Sequence, residues 1–125
     1  QRIPHIDGAN PNDIAFLHFL CDEKYGGTSF YRHRATGYEF INDERLNNFT
    51  QSLEKEFETQ GLPEGYTHGT SQFFEKVETC AANFNRLLIY RGTSLHSGDI
   101  AENYNYDPNP KTGRLTVTSF LRSAV

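Results

Sequence analysis

The residues best suited to chemistry begin near the start of the chain, where one residue separates a histidine from an aspartate. His5 and Asp7 point to the same side if the backbone there is extended, because side chains alternate along a strand. An imidazole and a carboxylate placed in this way can hold one metal ion and leave most of its coordination sphere open. The other interpretation is a polar strand end that runs into a turn, since a His-x-Asp triplet also occurs by chance.

The other four histidines differ in their surroundings. His18 lies inside the apolar run 14–21, which is typical of a core residue, and His68 lies in a polar loop, which indicates a solvated side chain. His33 ends a β-prone segment beside a possible cavity. His96 follows an apolar stretch and has small neighbours. It is equally well placed to enter a pocket or to lie in a turn.

The elements that must position these groups are mostly strands. Residues 1–7 indicate a strand end, and the run 14–21 is typical of a central strand buried on both faces. Further β-prone segments are predicted at 28–33, 38–41, 72–81, 86–92 and 114–121. The turn 83–85 predicts that 72–81 and 86–92 form a hairpin. Six or seven strands with such spacing indicate an antiparallel β-barrel or sandwich.

One helix interrupts the strands, and we expect it over about residues 43–60. Apolar residues recur there at spacings of three and four: Leu46, Phe49, Leu53 and Phe57. Asp43 is the expected N-cap, and Gly61 followed by Pro63 is the expected stop. The apolar stripe is narrow, so the helix should lie on the outside of a sheet.

Composition restricts the class of protein. The chain has 125 residues, which fits one domain, and its 16 acidic and 12 basic residues give a net charge of −4. A mildly acidic chain without a basic block argues against nucleic acid or an anionic membrane as the main partner. No apolar run reaches the length of a membrane span and no signal peptide is visible, so a cytoplasmic location is the default. Cys21 and Cys80 could pair, but the more common behaviour is that of small buried hydrophobes.

The order of these features resembles a known superfamily. His5-Ile6-Asp7 is followed by Gly26-Gly27-Thr28-Ser29-Phe30-Tyr31, by Arg86-Leu87-Leu88-Ile89-Tyr90-Arg91 with His96, and by Gly113-Arg114-Leu115-Thr116-Val117-Thr118-Ser119-Phe120-Leu121. This series is similar to the iron(II)- and 2-oxoglutarate-dependent oxygenases, which are built on a double-stranded β-helix (jelly-roll) barrel. It is closest to an uncharacterised branch related to the prolyl hydroxylases. The resemblance therefore implies one jelly-roll domain over residues 1–125, with the helix as an insertion.

The resemblance also assigns roles. It implies that His5, Asp7 and His96 hold iron(II), and that Arg114 and Thr116 bind the cosubstrate 2-oxoglutarate. Two imidazoles and one carboxylate occupy one face of an octahedral ion and leave three positions open, as in non-haem iron oxygenases. Arginine offers a carboxylate a fixed, planar and always charged fork. Arg114 and Thr116 are two residues apart on a predicted strand, so both should face the same side.

Four further residues are candidates with two interpretations each. Tyr31 and Tyr90 could contact the cosubstrate through their hydroxyl groups, or could belong to the core. Arg32 and His33 could meet an anionic substrate, or could be part of a solvated turn.

Two features depart from the pattern of the superfamily. The loop 102–113 makes the gap between His96 and Arg114 wide, so that loop is expected to be a lid or a substrate contact. Almost nothing precedes His5 and the chain contains no methionine, so we expect a processed or N-terminally incomplete domain whose barrel has an open face.

The activity that the resemblance implies is hydroxylation of a small-molecule or peptide substrate, with release of succinate and carbon dioxide. One alternative is a non-catalytic jelly-roll module that binds a ligand or a partner. Another is a cupin-type metalloenzyme that does not use 2-oxoglutarate.

Overall fold

The described part of the protein is mainly β, with two antiparallel three-stranded sheets and one α helix. A computed structural model describes residues 3–64, 71–100 and 107–124. The elements are β1 (Asp13–Phe19), β2 (Thr28–His33), α1 (Asp43–Gln60), β3 (Phe74–Cys80), β4 (Arg86–Arg91), β5 (His96–Gly98) and β6 (Thr116–Arg122), with a short 3-10 helix at Glu23–Tyr25. One sheet has the order β4-β1-β6 and the other β3-β2-β5. The mainly β class with one helical insertion is confirmed, while the described strands form two separate sheets and no closed barrel.

The connection between β3 and β4 differs from the prediction. The expected hairpin is wrong, because β3 pairs with β2 in one sheet and β4 pairs with β1 in the other. Asn85 adopts a left-handed conformation with φ 64°, and its amide donates to the Phe19 carbonyl over 2.8 Å. That bond directs the chain to β1, so the turn 83–85 carries it from one sheet to the other.

The predicted strand at 38–41 is reduced to a single antiparallel bridge between Phe40 and Ser94. The helix that follows begins at Asp43, and its N-cap lies one residue before the predicted one. The N-cap is Asn42 and not Asp43, because the Asn42 side chain accepts a hydrogen bond from the Arg45 amide over 3.1 Å. The predicted stop at Gly61 is confirmed, with φ 79° and an amide that donates to the Phe57 carbonyl.

Helix α1 covers the outer face of the β3-β2-β5 sheet. Its side chains Phe49 and Leu53 are buried, and Phe57 packs edge-on against the ring of Phe73. The core between helix and sheet comprises Tyr31, Ile41, Phe49, Leu53, Phe73, Phe74 and Leu95. The predicted position of the helix on the outside of a sheet agrees with this packing.

Strand β1 is central in its sheet, as expected, but only one of its faces is buried. Ala15, Leu17 and Phe19 are buried and point towards the other sheet, whereas Phe16 and His18 are half-buried on the opposite face. The expectation that His18 is a core residue is therefore wrong, and its Nε2 lies 2.8 Å from the Asn85 side-chain oxygen.

The uncovered face of the β4-β1-β6 sheet is apolar. Leu87, Ile89 and Leu121 on it are 52%, 57% and 61% exposed, and cross-strand register brings His18 between Leu87 and Val117. A shallow cavity of about 340 Å³ lies on this face. The described part of the chain thus covers one sheet with a helix and leaves the other open.

The remaining expectations concern His68, the loop 102–113, the two cysteines and membrane-spanning helices. His68 and the first part of the loop 102–113 lie outside the described ranges. Both cysteines are free thiols, with Cys21 buried and Cys80 half-buried. Across the described ranges no helix combines the length and the apolarity needed to cross a membrane.

We expect the helix contact to dominate the stability of the β3-β2-β5 half. Phe49→Ala should lower the free energy of unfolding by about 3 kcal/mol, because it removes a buried ring and leaves a cavity. Leu46→Ala is the matched control on the same helix, since Leu46 is 41% exposed, and it should cost less than about 1 kcal/mol. Urea denaturation followed by circular dichroism measures both, and equal losses would contradict the packing described above.

Candidate metal centre

Two backbone hydrogen bonds bring the N-terminal segment to the start of β5. The His5 amide donates to the His96 carbonyl over 2.9 Å, and the His96 amide donates to the His5 carbonyl over 3.0 Å. Residues that exchange both bonds are directly opposite in an antiparallel pair, so their side chains lie on the same face. The two imidazole centroids are accordingly 4.4 Å apart. Residues far apart in the sequence thus become neighbours through one bridge.

Asp7 lies beside the two histidines for two reasons. It is two residues from His5 along an extended segment, and its backbone forms a hydrogen bond of its own. Its amide donates to the Gly92 carbonyl over 2.8 Å. Its carboxylate oxygens lie 3.9 Å from His5 Nε2 and 3.5 Å from His96 Nε2. The intervening Ile6 packs against the core under α1, which is the alternation expected of an extended segment.

The surroundings of the cluster favour the neutral form of the His5 imidazole. Burial lowers the pKa of His5 below its usual value, and the neighbouring His96 lowers it further, although the Asp7 carboxylate opposes the shift. His96 Nδ1 lies 2.8 Å from the Ser94 carbonyl oxygen. A carbonyl can only accept, so Nδ1 donates to it, and Nε2 is the nitrogen that faces Asp7 and that a metal would use. This second bond fixes the ring in the tautomer that a metal ligand needs.

The donor set fits a divalent metal ion. One donor atom from each of His5, Asp7 and His96 lies within 4.8 Å of the other two. Neighbouring ligand atoms on an octahedral ion with bonds near 2.1 Å are about 3 Å apart, so a small inward movement of the side chains would complete the triad. Two imidazoles and a carboxylate suit iron(II) and related transition metals.

The triad opens into a cleft of about 360 Å³ between the two sheets. The cleft is lined by His5, Asp7, Leu17, Thr28, Tyr90, His96, Gly98, Arg114, Thr116, Thr118 and Phe120. Strand β6 contributes Thr116, Thr118 and Phe120 because every second residue of a strand faces the same side. Of the predicted site residues, the structure brings together all three metal candidates, the predicted arginine and threonine, and one of the two tyrosines.

Arg114 precedes β6 and is held by the glycine pair of the turn before β2. Its Nε donates to the Gly26 carbonyl and its Nη2 to the Gly27 carbonyl, both over 3.1 Å. The backbone at the turn is tightly packed, since a Cβ on Gly27 would lie 1.9 Å from the Cys80 carbonyl oxygen. The guanidinium also lies over the Phe19 ring, 5.9 Å from its centroid. These contacts fix a permanent positive charge at the wall of the cleft.

Tyr90 is in direct contact with the triad. Its hydroxyl lies 3.2 Å from His96 Nε2 and its ring packs edge-on against the same imidazole. Burial raises the pKa of Tyr90, and the nearby Asp7 carboxylate raises it further, so the hydroxyl keeps its proton at neutral pH.

Three predicted residues lie away from the cleft. Tyr31 is fully buried in the core under α1, and burial raises its pKa to about 12. His33 is also fully buried, with Nε2 2.7 Å from a Glu56 carboxylate oxygen and Nδ1 2.8 Å from the Thr36 hydroxyl. Arg32 forms ion pairs with Glu39 and Glu75.

The residues that sequence reasoning missed are Thr28, Thr118 and Phe120. Alternation from Thr116 would have found two of them, because positions 118 and 120 share its face. Thr28 could not have been found in this way, since its place in the cleft depends on how the two sheets face each other.

Metal binding should require His96, which is bridged to His5, and should not require His18. We expect His96→Ala to weaken cobalt(II) binding by more than about 100-fold, beyond what the loss of an outer-shell partner costs. His18→Ala is the matched control and should leave affinity unchanged, because His18 lies on the opposite face of β1. The cobalt absorption bands measure both affinities, and equal affinity in the His96 variant and the native protein would exclude this cluster as the metal site.

Comparison with known proteins gives a family but no activity. A family of unknown function, DUF6445, matches residues 1–121. No curated protein and no solved structure matches the chain. The match spans nearly the whole sequence, from the His-x-Asp segment to β6, and the chain therefore belongs to the DUF6445 family.

Proposed function

We propose that this protein is a non-haem iron(II)- and 2-oxoglutarate-dependent oxygenase that hydroxylates a small-molecule or peptide substrate. The observation that carries the proposal is that candidate metal ligands and a candidate carboxylate-binding arginine line the same cleft. It combines a His5–Asp7–His96 triad with the guanidinium of Arg114 and the hydroxyl of Thr116. Metal ligands alone would suit many metalloproteins, but an arginine on the wall of the same cleft gives an anionic chelator a second point of attachment.

The residues would divide the work as follows. His5, Asp7 and His96 would hold iron(II) on one face and leave three positions open. Arg114 would bind the far carboxylate of 2-oxoglutarate, and Thr116 would add a hydroxyl contact from the same wall. When bound, iron(II) with 2-oxoglutarate and dioxygen supplies the oxidising chemistry that converts a C–H bond to a hydroxyl group and releases succinate and carbon dioxide.

Tyr90 would have a positioning role. Its hydroxyl lies 3.2 Å from the His96 nitrogen that the metal would use, and it also hydrogen-bonds the Asp7 carboxylate. With a metal on that nitrogen, the hydroxyl would keep Asp7 as its partner or donate to the cosubstrate. Either partner would orient an anionic oxygen beside the metal.

The order of strand pairing supports a jelly-roll fold for this cleft. The antiparallel pairs are nested: β2 with β3 innermost, then β1 with β4, then the His5 segment with β5. A ribbon of nested pairs that alternates between two sheets is the arrangement of a jelly roll. The additional pairs β2 with β5 and β1 with β6 roll the ribbon into two facing layers.

Anaerobic titration tests the proposal. Iron(II) and 2-oxoglutarate together should give a weak visible charge-transfer band in the native protein, because the keto acid end of the cosubstrate chelates the metal. The band should vanish in His96→Ala and persist in His18→Ala. If no band forms in a folded native sample, the proposed function is wrong.

Cosubstrate recognition should depend on the planar fork of Arg114. We expect Arg114→Lys to weaken 2-oxoglutarate binding by about 10-fold or more, since a charge-assisted bidentate pair contributes roughly 1.5–3 kcal/mol. Cobalt(II) affinity should stay close to native, because Arg114 is not a metal ligand. Arg91→Lys, on the uncovered face of the β4-β1-β6 sheet, is the matched control. A melting curve of each variant separates lost binding from lost folding, since Arg114 also holds the glycine turn.

A further inference from the structure

A second cavity, of about 290 Å³, lies beside the cleft of the candidate metal centre. It is lined by Asp7, Asp13, Phe120, Leu121 and Arg122. Asp7 and Phe120 also line the cleft. The two cavities therefore meet at a candidate metal ligand, and a molecule in the second cavity would lie beside the metal.

The inward side chains of β6 run from one cavity to the other. Thr116 and Thr118 line the cleft. Phe120 lines both cavities, and Arg122 lines the second one. These side chains share one face because they alternate along the strand. The pairing of β6 with β1 fixes that face, so the row does not depend on what lies along the other edge of β6. Arg114 thus precedes the row at one end, and Arg122 ends it at the other.

Arg122 and Asp13 form an ion pair in the wall of the second cavity. They lie opposite each other in the register of β6 and β1. The Arg122 Nε donates to Oδ1 over 2.6 Å and its Nη2 donates to Oδ2 over 2.9 Å, and neither bond uses Nη1. The Asp13 side chain is 17% exposed and the Arg122 side chain is 65% exposed. An ion pair this open to water contributes little to stability, so the fold should tolerate its removal.

Gly92 fixes Asp13 in relation to the metal centre. Its amide donates to the Asp13 carbonyl over 2.8 Å, and its carbonyl accepts from the Asp7 amide over 2.8 Å. Gly8, the residue after Asp7, lies against the Asp13 carboxylate, since a Cβ on Gly8 would be 2.5 Å from Oδ2. The ion pair is therefore held at a defined position next to the candidate ligand.

We propose that the second cavity binds the substrate of the oxygenase, and that this substrate is a free α-amino acid in its zwitterionic form. The carboxylate of the amino acid would bind Nη1 of Arg122, and its ammonium group would bind Asp13. Opposite charges that touch in the wall complement the opposite charges that an amino acid carries on one carbon atom. A simple anion or cation would instead meet a like charge. The inference rests on the proposed function, because it names the substrate class of that reaction.

The side chain of the amino acid would extend from the ion pair towards Asp7. Phe120 follows Arg122 on the same face and is 61% exposed, so its ring offers apolar surface to that side chain. An amino acid held by its two charges would then present side-chain carbons to the metal. A volume of about 290 Å³ is at the small end of ligand pockets, which favours one amino acid over a longer peptide.

Calorimetric titration with the proteinogenic L-α-amino acids tests the inference, using the protein with and without cobalt(II) and 2-oxoglutarate. At least one amino acid should bind. Arg122→Gln and Asp13→Asn should each weaken that binding about 10-fold or more, since each removes a charge-assisted hydrogen bond to the ligand. Arg91→Gln, on the outer face of the same sheet, is the matched control and should bind as native. All three variants should melt close to native.

The N-acetyl derivative of the amino acid that binds gives a second measurement. It should bind the native protein about 10-fold or more weakly, because it has no ammonium group. Asp13→Asn should not weaken its binding further, since the partner of Asp13 is already absent. A further loss in that variant would contradict the assigned role of Asp13.

Two results would overturn the inference: no amino acid binds, or Arg122→Gln and Asp13→Asn leave the binding unchanged. Both are distinct from a failure of the proposed function. A charge-transfer band with iron(II) and 2-oxoglutarate but no amino-acid binding would refute the substrate class and leave the oxygenase. Amino-acid binding without a band would refute the oxygenase and leave the amino-acid site.

Discussion

The candidate site depends on the two backbone hydrogen bonds that His5 and His96 exchange. Without them, the N-terminal segment would be held only by the Asp7 bond to Gly92 and the packing of Ile6, and His5 would lose its place opposite His96. The bonds act on the backbone, but their effect is on the side chains, because directly opposed residues share a face and lie close together. Asp7 then follows from alternation alone. The bridge thus brings together His5 and His96, which are 91 positions apart in the sequence (96 minus 5), and the alternation of the strand adds Asp7 to the same donor set.

The two sheets have different surroundings, and this difference places the cleft. Helix α1 covers the outer face of the β3-β2-β5 sheet. The inner face of this sheet is turned towards the other sheet. The β4-β1-β6 sheet contributes Tyr90, Thr116 and Thr118 from its inner face, and its outer face is open in the described part of the chain. Arg114 joins the two layers, because it precedes β6 and donates to carbonyls beside β2. A part-buried contact of this kind restrains the cleft wall more effectively than an exposed ion pair would.

Local sequence signals predicted much of the secondary structure, and their errors have a common cause. The limits of β2 and the end of α1 at Gly61 follow from local chemistry, and both were predicted. The hairpin between β3 and β4 was not correct, since the turn 83–85 looks the same locally whether its strands pair with each other or with distant ones. The predicted burial of His18 failed for a similar reason. A run of apolar residues does not reveal that one face of its strand has no described cover.

The sequence by itself determined which groups are available and which of them share a side. The types and two-residue spacings of His5 with Asp7, and of Arg114 with Thr116, are sufficient for that, because the period of a strand is a local property. Only the tertiary structure decided that both pairs face one cleft with His96 and Tyr90, while Tyr31 and His33 are buried beneath α1. The reason is that strand pairing between distant segments sets which face of each strand is turned inwards. No local pattern carries that information, since a shift of one residue in the register would reverse every side chain.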